Sequence, residues 1–237
     1  HVSQCLRREL TELIPLPETK LKSGTVLVVG LGNRGVTPDS LGPRVAERVF
    51  VTRHIKEHMP EAFDFDIPSV CAIAPGVLGV TGVETMDIVF GVANKVKPDL
   101  IIAVDALASR RAARISTTIQ LSDSGISPGS GVGNTRADLS RANLGVPVIA
   151  VGVPLVVYAS TISQDTISLI ADETGLHGDE ARLRELAEQV IAKHMGDFIV
   201  TPKDIDVIVE DMAGIIANAI NSALFGNNLE QVRNMLA

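Results

Sequence analysis

Two aspartates follow apolar stretches of the sequence that are typical of buried strands. Asp39 follows the run Thr25–Val29 through a turn, and Asp105 directly follows LIIAV, Leu100–Val104. Because ligands of open α/β sheets bind at the carboxyl ends of the strands, we expect both carboxylates at one edge of one sheet. Two close carboxylates repel, so one pKa rises while the other group stays ionised. Such a pair could activate water and protonate a leaving amine, although either aspartate could instead cap a helix or a turn.

The turn before Asp39 reads GLGNRG, Gly30–Gly35, which also fits the dinucleotide-binding pattern G-x-G-x-x-G. Pro38 disfavours helical geometry in the residue before it, so the helix is predicted to begin near Asp39 or Ser40 and not at the third glycine. The acidic residue that this pattern needs at the end of a second strand is missing, because Glu47 falls in the predicted helix. The stretch therefore favours a turn that presents Asp39, and a nucleotide-binding module is the non-enzyme alternative.

Other candidate contacts lie in a glycine- and serine-rich loop, 122–134, and at two arginines. Glycines in this loop could let the backbone approach a bound peptide closely, although a simple surface loop is the alternative. They are Gly125, Gly129, Gly131 and Gly133. The arginines, Arg34 and Arg110, could attract acidic residues of a substrate.

Composition excludes several classes of function. The net charge of -7 argues against a nucleic-acid surface, and we predict no direct nucleic-acid partner. The longest apolar runs are shorter than the roughly 20 residues of a membrane span, so no membrane association is expected. Cys5 and Cys71 are too far apart for a metal or redox motif and are expected to be reduced thiols. The chain begins with His1 and not with Met, so we expect an upstream segment to be missing.

Short apolar runs alternate with amphipathic ones, which predicts an α/β fold: a mainly parallel twisted sheet with helices on both faces. Hydrophobic residues make up 46% of the chain and aromatic residues only 3%, as expected for a sheet built from Val, Ile, Leu and Ala. The predicted strands are Thr25–Val29, Ser69–Ala74, Leu100–Val104, Ile115–Leu121 and Val146–Val153. The predicted helices are Ser40–His58, Val83–Val96, Thr161–Ala171, Asp179–His194, Pro202–Phe225 and Leu229–Leu236. We expect a single peptidase domain, 1–237, made of an N-terminal remnant (1–24), an α/β core (25–171) and a helical C-terminal extension (172–237).

Several long blocks together resemble the germination proteases of spore-forming bacteria. They include LVVGLGNRGVTPDSLGPRVAERVFVTRHI, AIAPGVLGVTGVETMDIVFGV, KPDLIIAVDALASR, IQLSDSGISPGSGVGNTRADLS and LGVPVIAVGVPLVVYASTI. The resemblance covers most of Thr25 to about Thr166 and is weaker from Ser168 onward. That family is similar in fold to the hydrogenase-maturation peptidases, which share a Gly-x-Gly-Asn turn followed by an acidic residue.

The resemblance implies an endopeptidase of atypical aspartic type that degrades small acid-soluble spore proteins during germination. It implies synthesis as a zymogen, assembly as a homotetramer and a cytoplasmic location in the spore core. The aspartates of its two acidic blocks correspond to Asp39 and Asp105. Asn33 and backbone amides near it become candidate substrate contacts, with Arg34, Arg110, Gly129, Gly131 and Gly133.

The maturation peptidases engage nickel with a histidine beside their acidic pair, but none of the five histidines here falls in a matching block. We therefore predict no catalytic metal and no cofactor. The enzyme alternative is a maturation-type peptidase that acts on a metalloprotein precursor.

Overall fold

A six-stranded sheet forms the centre of the computed structural model, which describes residues 1–59, 61, 65–127, 138–175, 180–194 and 198–236. The strands are β1 Thr25–Gly30, β2 Ser69–Ile73, β3 Leu100–Ser109, β4 Gln120–Ser122, β5 Val148–Tyr158 and β6 Ile199–Val200. Their order is β2-β1-β3-β5-β4, and β6 also pairs with β5. The first four strands of this order are parallel, whereas β4 and β6 run antiparallel to β5. The predicted α/β class with a mainly parallel sheet is confirmed.

Helices cover both faces of this sheet. They are α1 Val2–Leu13, α2 Glu18–Ser23, α3 Leu41–Ala46, α4 Arg53–His58, α5 Leu78–Thr81, α6 Thr85–Val96, α7 Arg141–Leu144, α8 Ala159–Thr174, α9 Glu180–His194, α10 Ile205–Phe225 and α11 Leu229–Leu236. Side chains of successive strand residues point to opposite faces. Accordingly Val26 and Val28 pack in one core with α1, α3 and α10, and Leu27 and Val29 pack in a second core with α6.

The predicted helix Ser40–His58 is wrong, because the segment forms two short helices, α3 and α4. Between them the backbone is bonded to other parts of the fold. The amide of Asn221 in α10 accepts from the Phe50 N–H at 2.9 Å and donates to the Arg48 carbonyl at 3.1 Å. The Thr52 N–H donates to the Val70 carbonyl of β2 at 2.9 Å, and the Thr52 hydroxyl accepts from the Val70 N–H. Groups that would have closed helical turns are therefore engaged by α10 and β2.

Strand lengths also differ from the predictions. β3 and β5 continue well past Val104 and Val153, because they pair with each other as far as Ser109 and Val157. The predicted strand Ile115–Leu121 is largely wrong, since only Gln120–Ser122 pairs with β5. Upstream of it, Ser116 has a positive φ of 58°, which an extended strand does not allow.

The helical ends of the chain belong to one of the two cores. Leu6 and Leu10 of α1 are buried in the same core as α10, an arrangement that the sequence did not indicate. The segment Ile205–Leu236 is long and apolar enough to cross a membrane by length and composition. One side of α10 is nevertheless buried in the core that it shares with α1 and α3, and Val209, Ile216 and Ile220 are fully inaccessible. α10 begins at Ile205, so Pro202 lies before the helix and not at its first position as predicted.

Replacing Asn221 with Ala should destabilise the fold measurably. The side chain is 3% exposed, and its loss leaves both the Phe50 N–H and the Arg48 carbonyl without this partner. An unsatisfied buried group costs about 1–3 kcal/mol, so we expect the free energy of unfolding to fall by about 2–4 kcal/mol in a urea titration. Asn228→Ala removes one exposed hydrogen bond to Asp66 and serves as the control, with an expected loss below about 1 kcal/mol. Equal losses in the two variants would contradict this account of the break between α3 and α4.

Candidate active site

A cavity of about 800 Å³ opens at the carboxyl ends of β1 and β3. This is the edge at which open α/β sheets place their ligands, and the volume is in the range of small-ligand clefts. Asp39 and Asp105 both line it, as we predicted from their positions after two apolar runs of the sequence. The other walls come from the turn after β1, from the start of α6, and from the ends of β3 and β5. The cavity is therefore the place in the described part of the chain where the two candidate carboxylates meet.

Asp39 is held by the turn that precedes it. Thr37–Asp39 forms a single 3₁₀ turn with Pro38 inside it, and α3 begins at Leu41. The Asn33 N–H donates to Asp39 Oδ2 at 2.7 Å. The turn after β1 thus supplies both the backbone that carries Asp39 and the donor that orients its carboxylate.

The glycines of this turn have packing roles. A Cβ on Gly32, whose φ is +112°, would lie 2.0 Å from the Asp39 carbonyl oxygen, and a Cβ on Gly30 would lie 2.1 Å from the Gly42 carbonyl oxygen. These positions need glycine because the backbone segments touch. Dinucleotide binding needs a helix that starts at the third glycine, whereas here the helix starts only at Leu41. The glycines therefore fix Asp39 and seat α3 on β1.

Asp105 is 5% exposed and lies inside β3, not after its end as the sequence suggested. Asp105 nevertheless lies at the carboxyl end of β1, because β1 stops at Gly30, opposite Val104. Burial raises the pKa of Asp105 to about 8, with a further contribution from the charge of Asp39, while the Ala106 N–H bonded at 2.9 Å opposes the rise. A carboxyl with this pKa is predominantly protonated at neutral pH.

Burial also raises the pKa of Asp39, and the hydrogen bond from the Asn33 N–H opposes this rise. Asp39 is the more accessible of the two, and its charge acts on Asp105. Asp39 is consequently the member of the pair that ionises first. The site offers one carboxylate and one carboxylic acid at neutral pH, the division expected of a general base and a general acid.

The other predicted contacts fall in different places. Arg110 lines the cavity and is exposed, whereas Arg34 forms an ion pair with Glu47 and is not among the lining residues. The side-chain oxygen of Asn33 accepts from the Gly35 N–H at 2.9 Å, so that side chain is engaged within its own turn. Gly125 packs against the backbone of Leu139. Gly129, Gly131 and Gly133 lie outside the described residues.

The structure adds polar groups to the cavity that the sequence analysis missed. They are Thr85, Ser109, Ser127, Tyr158, Thr161 and Thr201. Tyr158 is the only tyrosine of the chain, which is the one sequence signal that could have singled it out. Among the described residues, no three His, Cys, Asp or Glu side chains lie together as a metal site would require.

Asp105→Asn should stabilise the fold, and the gain should grow with pH. The pKa of Asp105 is raised in the folded state, so its contribution favours folding below about pH 4 and is lost as pH rises towards about 8. Asn removes this dependence, so the advantage of the variant should increase by about 1 kcal/mol per pH unit across this window. Thermal unfolding at pH 5 and pH 8 measures it. The exposed Asp123→Asn control should follow the wild type, and a constant difference for Asp105→Asn would contradict the raised pKa.

Comparison with known proteins identifies the family. A profile described as germination protease matches residues 1–181 and 173–235. The chain is 45% identical to the germination protease of Clostridium tetani over 239 residues, which span 94% of this chain and 72% of that protein. It is 47% identical to that of Clostridium acetobutylicum over 237 residues, with the same coverage, and 42% identical to that of Bacillus cereus over 248 residues, which span 86% and 67%.

Among solved structures, the NiFe hydrogenase maturation protease HycI from Thermococcus kodakarensis aligns with a TM-score of 0.44 and 17% identity, covering 90% of this chain and 98% of that one. The relatives at 42–47% identity establish the family without it. The chain belongs to the germination protease family of spore-forming bacteria and is a peptidase.

Proposed function

We propose that this peptidase is an endopeptidase that degrades small acid-soluble spore proteins during germination, with Asp39 and Asp105 as its catalytic pair. The observation that carries the mechanism is the pairing of a half-buried carboxylate, Asp39, with a buried carboxylic acid, Asp105, in one cavity. The family match supports the peptidase activity and the setting in spores. The resemblance of the sequence blocks supports the choice of substrate.

In this mechanism Asp39, which ionises first, is the general base that takes a proton from water. The hydroxide equivalent attacks the carbonyl carbon of the peptide bond. Asp105, protonated at neutral pH, donates its proton to the leaving amine as the carbon–nitrogen bond breaks. The buried position of Asp105 keeps the acid protonated, because desolvation disfavours its anion, and the charge of Asp39 acts in the same direction.

Substrate attraction is assigned to Arg110. It lines the cavity, so its cation lies within reach of a bound polypeptide, whereas the guanidinium of Arg34 is engaged by Glu47. The pair of arginines therefore provides a test and its matched control on the same protein.

The proposal extends to the assembly and processing that the resemblance implies: a homotetramer in the spore core, made as a zymogen with an N-terminal propeptide. Support for association comes from exposed apolar side chains on α8 and α9, namely Leu169, Ile170, Leu183, Leu186 and Val190. Light scattering of the purified chain tests it, and the mass of a monomer at micromolar concentration would argue against it.

Cleavage of a small acid-soluble spore protein should require both aspartates. Mass spectrometry of the products should show specific fragments with the wild type and a loss of rate of at least about 10²-fold in Asp39→Asn and in Asp105→Asn, because removal of an acid or base typically costs about 10²–10⁴-fold. Both variants should remain folded by circular dichroism. Full activity in either one would remove that residue from the mechanism.

Arg110→Gln should raise KM for substrates with acidic residues near the cleaved bond, by about three- to tenfold at low salt, and leave kcat nearly unchanged. The reason is that an exposed cation contributes modest, screened attraction to binding and none to the chemical step. The effect should shrink at 0.5 M salt. Arg34→Gln is the control and should change KM by less than about twofold. An equal rise in both variants would point to overall charge and not to Arg110.

A further inference from the structure

β3 has an edge that no strand covers beyond Val104 within the described ranges. β1 pairs with it from Leu100 to Val104 and stops, and the Leu31 N–H makes the last bond to the Val104 carbonyl at 2.8 Å. β3 continues to Ser109, paired with β5 on its other edge only. Among the described residues, the part of β3 after Val104 therefore has no strand partner on the edge along which β1 would have continued.

The cavity runs along this edge. Every residue from Asp105 to Ser109 lines it. Side chains of successive strand residues point to opposite faces, so a cavity over one face would be lined by alternate residues. A consecutive run shows that the cavity borders the backbone itself. Burial agrees, because the residues from Ile101 to Asp105 are buried whereas Ala106, Leu107 and Ala108 are half-buried.

The direction of the backbone groups follows from the neighbouring hydrogen bonds. The Val104 carbonyl faces β1, and the Ile101 N–H donates to Pro147 on the β5 side, so even-numbered residues of β3 direct their groups towards the β1 edge. The irregularity between Leu107 and Ala108 places its extra residue in β5, which leaves the alternation in β3 unchanged. The Ala106 carbonyl and both backbone groups of Ala108 are therefore directed into the cavity.

We propose that the substrate polypeptide binds in extended form as an added strand alongside Ala106–Ala108, in place of the continuation of β1. This inference rests on the proposed peptidase function and specifies how that site holds its substrate. Backbone hydrogen bonds recognise an extended chain of many sequences, and the two small alanines leave room for its side chains. The added strand passes Asp105 at its start, which brings a peptide bond to the pair of carboxyls.

This geometry sets the form of the substrate. Three or four residues of an extended chain span about 10–13 Å, the length of strand that the open edge offers. A helical segment cannot offer alternating N–H and C=O groups to a strand edge, because its own hydrogen bonds use them. The enzyme therefore acts on segments that are unfolded or locally unfolded.

The test uses overlapping synthetic peptides of a small acid-soluble spore protein. Binding is measured by fluorescence anisotropy with Asp105→Asn, in which cleavage is expected to be at least about 10²-fold slower than in the wild type. In the tightest peptide each amide is then replaced in turn by an ester, which removes one N–H donor and changes the shape little. Strand addition predicts losses of affinity of about tenfold at alternate residues and less than about twofold at the residues between them.

Each outcome decides the inference. Alternation with a period of two supports it, even if the wild type cleaves none of the peptides, in which case the proposed peptidase role on this substrate fails alone. Specific cleavage by the wild type with no alternation overturns strand addition and leaves the proposed function in place. Absence of binding by any peptide up to 1 mM also overturns it.

Discussion

The site depends on unequal strand lengths at the centre of the sheet. β1 ends at Gly30, while β3 and β5 continue side by side for several more residues. The chain leaves β1 in a tight turn that is bonded to the Val104 carbonyl of β3 and carries Asp39 to the neighbourhood of Asp105. If β1 continued, its backbone would occupy the edge that the cavity now borders. Within the described part of the chain, one early strand end thus creates the space, brings the carboxyls together and leaves a backbone edge without a strand partner.

The burial of Asp105 lowers the stability of the fold at neutral pH but suits the carboxyl to act as an acid. Its side chain is only 5% exposed and lies beside a second carboxyl, so its anion would be poorly hydrated and repelled by Asp39. The folded protein therefore keeps this carboxyl protonated to a higher pH than the unfolded chain does. The arrangement weakens the fold at neutral pH but yields an acid that is still protonated there. The large apolar cores on both faces of the sheet supply the stability that tolerates it.

The turn Gly30–Asp39 illustrates how a short pattern can be read in two ways. Glycines that resemble a pyrophosphate loop are required here because backbone touches backbone: Gly32 against Asp39 and Gly30 against Gly42. The same residue type serves both purposes, since each needs a backbone without a side chain. The two kinds of turn differ in where the following helix begins. A pyrophosphate loop needs the helix to start at the third glycine, whereas here Pro38 lies in a 3₁₀ turn and α3 begins only at Leu41.

The sequence by itself determined the class of the fold, the existence of the central strands and the location of Asp39 and Asp105 at one edge of the sheet, because apolar runs and strand ends are local signals. The family could also be assigned from long matching blocks. Only the tertiary structure decided where strands end and which helices break. β3 extends through Asp105 because β5 is available as a partner, and the helix after Ser40 ends because Asn221, far along the chain, captures its backbone. The pKa of Asp105 has the same origin, since burial is a property of the packed fold and is absent from any stretch of sequence.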